Sequence, residues 1–395
     1  MSPTATHEFT DDGAWCWFQD PRAVRYAGDR DRTYAGWITV DGDIEVGSYD
    51  HETGEVTRTT VHAAFERDDH DAPTLYVDAD GRVLVFYTGH VGPEIHYCRS
   101  ENPEDVTSFG PSRSVAPSTG HTYPDPREIG GTLYLFYRNG DGTLAYTTSD
   151  DDGRSWGEER ELVTTGGRGW CVYRKISDVH GGAVDLGLTF AEGGSNDPHR
   201  SVRHVRFDGE RLMSADGTPL GDGPVPLQET PAVYDSAETG HDAWVWDCSV
   251  QDGTVELAYA ELRSQDDHRY RYARWTGDGW RDAPLADAGT HIVSGNDEKY
   301  YSGGVVLDHE RPGVCYYSVG SHDGSELVRA ETADSGETWD RNALTDGNVQ
   351  NVRPVVPRNR HEDLPVLWMR GSYTYYVDAY ETAVVGAAGS VDGSE

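Results

Sequence analysis

The chain has 395 residues, with 69 acidic side chains against 33 basic ones and a formal net charge of −36. That field excludes nucleic acid as a partner, because phosphate contacts need basic surfaces, and no run approaches the roughly 18 apolar residues of a membrane-spanning helix. The 11 Trp and 23 Tyr, set in regular strand patterns, exclude a disordered acidic chain. They point to a folded, lysine-poor protein whose self-repulsion is screened by strong salt.

The first residues, Met-Ser-Pro-Thr-Ala-Thr-His-Glu, have neither a basic region nor an apolar run. No signal peptide is read there, so a salt-rich cytoplasm is expected, or secretion if a leader has been removed. A hairpin pattern then repeats: an inner strand, a tight Gly/Asp turn, and a return strand of aromatic and aliphatic residues. The return strands are predicted at 33–38, 82–87, 132–137, 183–190, 254–259, 314–318 and 365–369. Their spacing of about 50 to 70 residues is the signature of a repeat architecture. The expected fold is all-β, a seven-bladed β-propeller of four-stranded antiparallel blades. It would span 1–384 as a single domain, followed by a disordered Gly-rich acidic tail over 385–395.

Two stretches, 149–156 and 332–339, fit the pattern S/T-x-D-x-G-x-S/T-W, and 277–280 (Gly-Asp-Gly-Trp) is a partial third copy. In such turns Asp and Ser/Thr cap the loop, Gly takes positive φ and Trp fills the space between blades. They report architecture, not chemistry. Cys16, Cys98, Cys171, Cys248 and Cys315 are odd in number and form no C-x-x-C pair, so free thiols are expected.

In an antiparallel hairpin the start of the first strand lies beside the end of the second. His70, in Asp69-His70-Asp71, therefore shares an end with His90, and Tyr123 shares one with Arg138. Tyr173 and Arg174 open the next hairpin, Trp244 and Trp246 the one after, then Tyr301, then Asn351 and Arg353. Propeller blades share one orientation, so all these ends should line one mouth, the default ligand site. Each residue also has a plainer reading. His70 could be a turn residue, Tyr123 a packing tyrosine, Arg138 a blade-to-blade ion pair, Arg353 a structural group, and Trp244 and Trp246 half core. His180, His204 and His268 read as surface or turn residues.

Cations at the mouth of so acidic a chain suggest an anionic ligand, since Arg matches carboxylate or sulfate in a forked geometry. Trp and Tyr suit the apolar faces of sugar rings. His, Tyr and Arg without an evident nucleophile fit β-elimination at a uronic acid. A cation holds the carboxylate, a neutral His or a tyrosinate takes the α proton, and Tyr or His protonates the leaving oxygen. A neighbouring cation could lower the pKa of Tyr123 for this task. Hydrolysis, or glycan binding without catalysis, would use the same mouth.

The segments Asp69-His70-Asp71-Ala72-Pro73, Phe86-Tyr87-Thr88-Gly89-His90, Tyr123-Pro124-Asp125-Pro126, Leu135-Phe136-Tyr137-Arg138, Tyr301-Ser302-Gly303-Gly304 and Asn351-Val352-Arg353-Pro354 resemble the BNR-repeat propeller family that contains the ulvan lyases. The resemblance runs from Trp15 to about Tyr380. It implies elimination at uronic acids of an anionic, rhamnose-containing oligo- or polysaccharide, with His70, His90, Tyr123 and Arg138 as the catalytic set. It also implies substrate contacts from Tyr173, Arg174, Trp244, Trp246, Tyr301, Asn351 and Arg353. Related propeller α-L-rhamnosidases keep hydrolysis of rhamnose–glucuronate linkages as the alternative. The chemistry needs no cofactor. Some relatives carry a structural metal, zinc or calcium, and Cys171, His180, His199 and His204 lie in the corresponding region without a clear ligand spacing. The 195–199 loop (Ser-Asn-Asp-Pro-His) departs from the family's turn. A monomer is expected.

Overall fold

The computed structural model describes residues 4–389 apart from 116–119, 168–169, 193–199, 222, 294–300 and 379. Its strands group into seven antiparallel blades, and every predicted return strand is the second strand of one of them. The first blade is Ala23–Ala27, Asp31–Ile38, Ile44–Asp50 and Val56–His62, and the second is Thr74–Val77, Val83–Tyr87, Ile95–Arg99 and Arg113–Val115. The third begins with Thr122–Ile129 and Thr132–Arg138, the fourth with Trp170–Ile176 and Val184–Glu192, and the fifth with Asp242–Gln251 and Thr254–Ser264. The sixth begins with Val305–Leu307 and Val314–Ser321, and the seventh with Gln350–Val355 and Leu367–Ser372.

The second strands lose the alternation of a half-buried sheet. Val83–Tyr87 is buried at all five positions, whereas the outer strand Val56–His62 has no buried residue. Inner strands are covered on both faces by neighbouring blades, so both faces are apolar. The two Asp turns form as the sequence implies. Ser149 Oγ accepts from the Gly153 amide at 2.9 Å, and the Trp156 ring meets Phe86 of the preceding blade at 5.8 Å. Thr332 and Trp339 repeat this against Tyr272 of the fifth blade. The cysteines are free thiols.

Three features depart from expectation. The expected tail begins too early, because 385–387 belongs to the strand Glu381–Ala387, which pairs with Thr6–Thr10 and closes the ring. Its small residues resemble a linker in composition. Yet Val384, Val385 and Ala387 are buried, and a Cβ at Gly386 would sit 2.4 Å from Leu364. The fourth blade is irregular, since its third strand, Val202–Phe207, is flanked by both Leu212–Met213 and Ala232–Tyr234. Between those two pieces Val225–Pro226 crosses to the third blade and pairs in parallel with Arg160–Thr164. The third departure is that residues 13–22, buried throughout and outside any hairpin, fill the centre of the ring. Trp17 touches Trp244, Trp246 and Tyr301, while Phe18 touches Tyr123 and Tyr173. This plug is the floor of the mouth.

Candidate active site

Three innermost strands bulge where they reach the plug. The register shifts between Thr122 and Asp125, between Val245 and Asp247, and between Val352 and Val355. The extra residues include Tyr123, Trp246 and Arg353. A bulge re-aims its side chain out of the pleat, and bulges gather beside active sites. Tyr123 and Arg353, each followed by proline, have φ of +61° and +51°. Left-handed backbone of this kind costs about 1–3 kcal/mol per residue and persists only where the surroundings impose it.

His70 and His90 meet as the hairpin geometry predicts. Their rings stack at 4.1 Å with only 3° between planes. Both hang from Asp68, whose carboxylate accepts from His70 Nδ1 at 2.6 Å and from His90 Nδ1 at 3.0 Å. Asp68 also caps the short helical turn Asp69–Asp71 by accepting from the His70 amide. The two imidazoles are electrostatically unlike. Burial works against charge on His70, but Cys16 and the carboxylates of Asp68 and Asp69 outweigh it and hold its pKa well above the ordinary imidazole value. For His90, burial together with nearby His70 and Arg138 outweighs the bond to Asp68, and its pKa is lowered. A pair pushed apart in this way supplies one cation and one neutral base.

Arg138 lies over the rings of Tyr123 and Tyr173, 5.0 Å from each centroid, and its Nη2 donates to Thr122 Oγ1 at 3.2 Å. Its side chain is buried, its Nη1 has no partner, and among the described residues it pairs with no carboxylate. The Tyr123 hydroxyl keeps its proton. Burial, with Cys16 and Tyr173 nearby, raises its pKa well above the ordinary phenol value despite Arg138. The expectation that a cation would lower it is reversed, because desolvation dominates at so buried a phenol.

Other expected contacts divide into two groups. Tyr173, Trp244 and Tyr301 form the aromatic wall, with Tyr173 meeting Trp244 edge-on at 5.1 Å. Arg174, Asn351, Arg353 and Trp246 do not line the mouth; they build what lies beneath it. Arg174 is buried and donates to the carbonyls of Tyr123 and Phe136, fixing the bulge. Asn351 spends its amide on the Ser325 and Val349 carbonyls and on the Trp368 indole. Arg353 is fully buried between Asp69 and the Trp15 carbonyl, with Nη2 donating to the Tyr373 hydroxyl at 2.7 Å. Trp246 is 1% exposed and stacked on Trp17. The bulges turn Trp246 and Arg353 into the packed centre, whereas Arg174 and Asn351 are drawn beneath the mouth from regularly paired positions.

Several contributors went unread in the sequence. Tyr376 stands edge-on to both histidines, at 4.7 Å from His70 and 5.8 Å from His90, and Tyr375 packs on it. The aromatic run 373–376 after the last return strand was the available signal, as was the run 15–18 for the plug. Asp71, also buried, accepts from no donor among the described residues, and burial with the carboxylates of Asp68 and Glu66 nearby, Glu66 within hydrogen-bonding reach, pushes its pKa up to about 10. His204 and His268 are core residues, not surface ones: His204 bonds Asp185 at 2.9 Å and His268 bonds Ser302 at 2.8 Å.

Two sets of metal-type donors come together among the described residues, Cys16–Asp69–His70 and Asp68–His70–His90. In the second set the two histidines are already hydrogen-bonded to Asp68 through Nδ1. The expected region holds no such set among the described residues, and His199, with the whole 195–199 loop, lies outside them. The groove of about 740 Å³ between the fifth and sixth blades is away from the histidines. Of its cations, Arg263 pairs with Glu261, Arg269 with Asp267 and Asp287, and Arg271 with Asp282, while Arg341 donates to the Trp339 and Leu285 carbonyls.

Comparison with known proteins agrees with this architecture. A stretch of 165 residues is 26% identical to an ulvan lyase of Alteromonas sp. (strain LOR), covering 35% of this chain and 33% of that protein, so the match spans about a third of the curated relative. Over nearly the whole chain, the fold superposes on a solved ulvan lyase of polysaccharide lyase family PL25 with a TM-score of 0.76 at 17% identity, covering 98% of this chain and 97% of that one. A second structure of that kind, described as bound to -[GlcA(1-4)Rha3S]-, superposes with a TM-score of 0.75 at 16% identity and the same coverage. The model of the BNR repeat-containing family matches residues 32–288. Seven blades, Asp turns and this match over well more than half of the sequence lead to one conclusion: the chain belongs to the BNR repeat-containing family.

Proposed function

We propose that the mouth catalyses β-elimination at a uronic acid within a rhamnose-containing, ulvan-like glycan. The observation that carries this reading is Arg138, a buried guanidinium without a carboxylate partner among the described residues, set beside a stacked His pair and a protonated tyrosine. In a chain with 69 acidic residues, a cation left unmatched favours an anion brought by the ligand. Arg138 and the His70 imidazolium hold the uronate carboxylate and stabilise the charge that builds on it as the α proton leaves. Neutral His90 takes that proton through Nε2, since its Nδ1 is bound to Asp68. The electron pair of the broken C–H bond forms the new C=C bond and expels the glycosidic oxygen on the β carbon. Tyr123 donates its phenol proton to that oxygen. Tyr173, Trp244, Tyr301 and Tyr376 offer faces for the neighbouring sugars.

The relatives' names support the substrate class, and the solved neighbour with its glucuronate–rhamnose-sulfate ligand supports an anionic saccharide. The test is near-ultraviolet absorbance on ulvan-type oligosaccharides in strong salt. A rise that tracks chain cleavage is expected. Release of reducing ends without conjugated absorbance would replace elimination with hydrolysis.

A further inference from the structure

The stacked histidines pose a physical question of their own. Two imidazoles 4.1 Å apart and parallel within 3° would repel if both were charged, and each could rotate or change tautomer if nothing held it. The structure assigns the holding role to Asp68. We infer that Asp68 is a positioning residue whose single carboxylate, bridging the two Nδ1 atoms, fixes His70 and His90 as Nδ1-protonated rings and leaves Nε2 of each as the nitrogen available for chemistry.

The argument rests on donor and acceptor bookkeeping. An ionised carboxylate only accepts hydrogen bonds, so any ring nitrogen bonded to it must carry the proton. Oδ1 accepts from the His70 amide at 2.9 Å and from His70 Nδ1 at 2.6 Å, and Oδ2 accepts from His90 Nδ1 at 3.0 Å. Asp68 is buried and ionised: although burial opposes the charge, its bonds to the two histidines lower its pKa below the usual carboxylate range. It is also immobile, because it is the N-cap of the Asp69–Asp71 turn, and that turn is tied to the last blade through the Asp69 amide and the Tyr376 carbonyl. His70 precedes the first strand of one hairpin and His90 follows its second, so the two meet at the same end. Asp69 Oδ1 also lies 3.2 Å from His70 Nδ1, but Asp68 is the acceptor the two rings share, and it sets their spacing, ring plane and tautomer together, as carboxylates do for other functional histidines.

The kinetic consequence rests on the elimination reading above; the tautomers do not. The decisive measurement is a long-range proton–nitrogen correlation spectrum of the full chain with ¹⁵N-labelled histidine, with ring signals assigned by single His→Gln variants. Both His70 and His90 should show a protonated Nδ1 in the wild-type protein. An unprotonated Nδ1 on either ring would overturn the inference, whatever reaction the protein catalyses. Asp68→Asn supplies the second arm. A carboxamide can accept from one ring only and must donate to the other, which then switches to the Nε2–H form. One ring should change tautomer while near-ultraviolet circular dichroism stays native. With ulvan oligosaccharide, kcat should fall about 10²- to 10⁴-fold with KM within a few fold. Asp68→Glu should keep both Nδ1 protons and recover part of the loss. A folded Asp68→Asn variant with both tautomers unchanged and full kcat would also overturn the inference. If Asp68→Asn does not fold, the wild-type spectrum decides alone. Absence of unsaturated product in the wild type would count against elimination and leave the tautomer result standing.

Discussion

The plug at residues 13–22 divides the centre of the propeller into two charged regions built on opposite rules. On the side away from the mouth, cations and carboxylates are matched. Lys175 donates to Asp20 and to the Trp17 carbonyl, Arg22 pairs with Asp20, Arg127 with Asp125, and Arg360 with Asp308. His309 bonds Asp247 at 3.0 Å and contacts Arg358. Lys175 and Arg22 hold the Asp20 carboxyl far below its usual range against the cost of burial. At the mouth, among the described residues, Arg138 has no carboxylate and Asp71 has no donor. The matched region holds the blades together. Under the proposed elimination, the unmatched one keeps its electrostatic capacity for the uronate, function traded against stability.

The sharpest way to break this comparison is to remove one cation from each region. Lys175→Met strips Asp20 of its main partner inside the core, and breaking a buried pair from one side costs about 3–5 kcal/mol. Thermal denaturation should show a large drop in Tm, with activity per folded molecule retained. Arg138→Met should do the reverse. Removing a buried guanidinium that has no ion partner leaves Tm unchanged or raised, while kcat/KM on uronate oligosaccharide falls about 10²- to 10³-fold. Equal losses of stability in the two variants would dissolve the distinction. Tyr123→Phe sharpens it within the mouth. The ring and its packing against Phe18 and Tyr173 remain, only the proton donor goes, and turnover should fall about 10²- to 10⁴-fold with Tm nearly unchanged.

How much of this was legible follows from which constraints are local. The pairs His70–His90 and Tyr123–Arg138 could be read because each belongs to one hairpin, where strand register fixes which ends meet; Thr122 does sit opposite Arg138. The blade count could be read for the same reason. The plug could not, because 13–22 belongs to no repeat and its partners lie on several blades, up to 338 residues away for Trp15 and Arg353. The burial of Arg353 was hidden by the bulge at 352–355, an irregularity that alternation does not encode, and that of Asn351 by partners on the preceding blade such as Ser325. His309 went unread because its partners, Asp247 and Arg358, come from other blades. Asp68 stood in plain view beside Asp69-His70-Asp71, but only the meeting of the two rings makes it more than a turn cap.

The comparison has a subtler consequence in how stability depends on pH. Asp20 contributes stability above about pH 4, and that stability is lost only as the pH falls toward its lowered folded value. Asp71 works in the opposite sense. Its folded pKa is raised to about 10 from the ordinary carboxyl value of 3.8, so the unfolded chain gives up the proton near pH 4 while the folded protein keeps it. Across that window the native state binds more protons, and stability falls as pH rises, by at most about 1.4 kcal/mol per pH unit for one group. Asp71→Asn replaces a protonated carboxyl with a neutral isostere that has no proton to lose. The variant should match the wild type near pH 4 and gain in Tm progressively toward pH 9, with the difference levelling off once Asp71 ionises in the folded protein. A Tm difference constant from pH 4 to pH 9 would mean that Asp71 is ionised within the fold and paired with a cation. The mouth would then be matched on its acidic side, and Arg138 would be its one uncompensated group among the described residues.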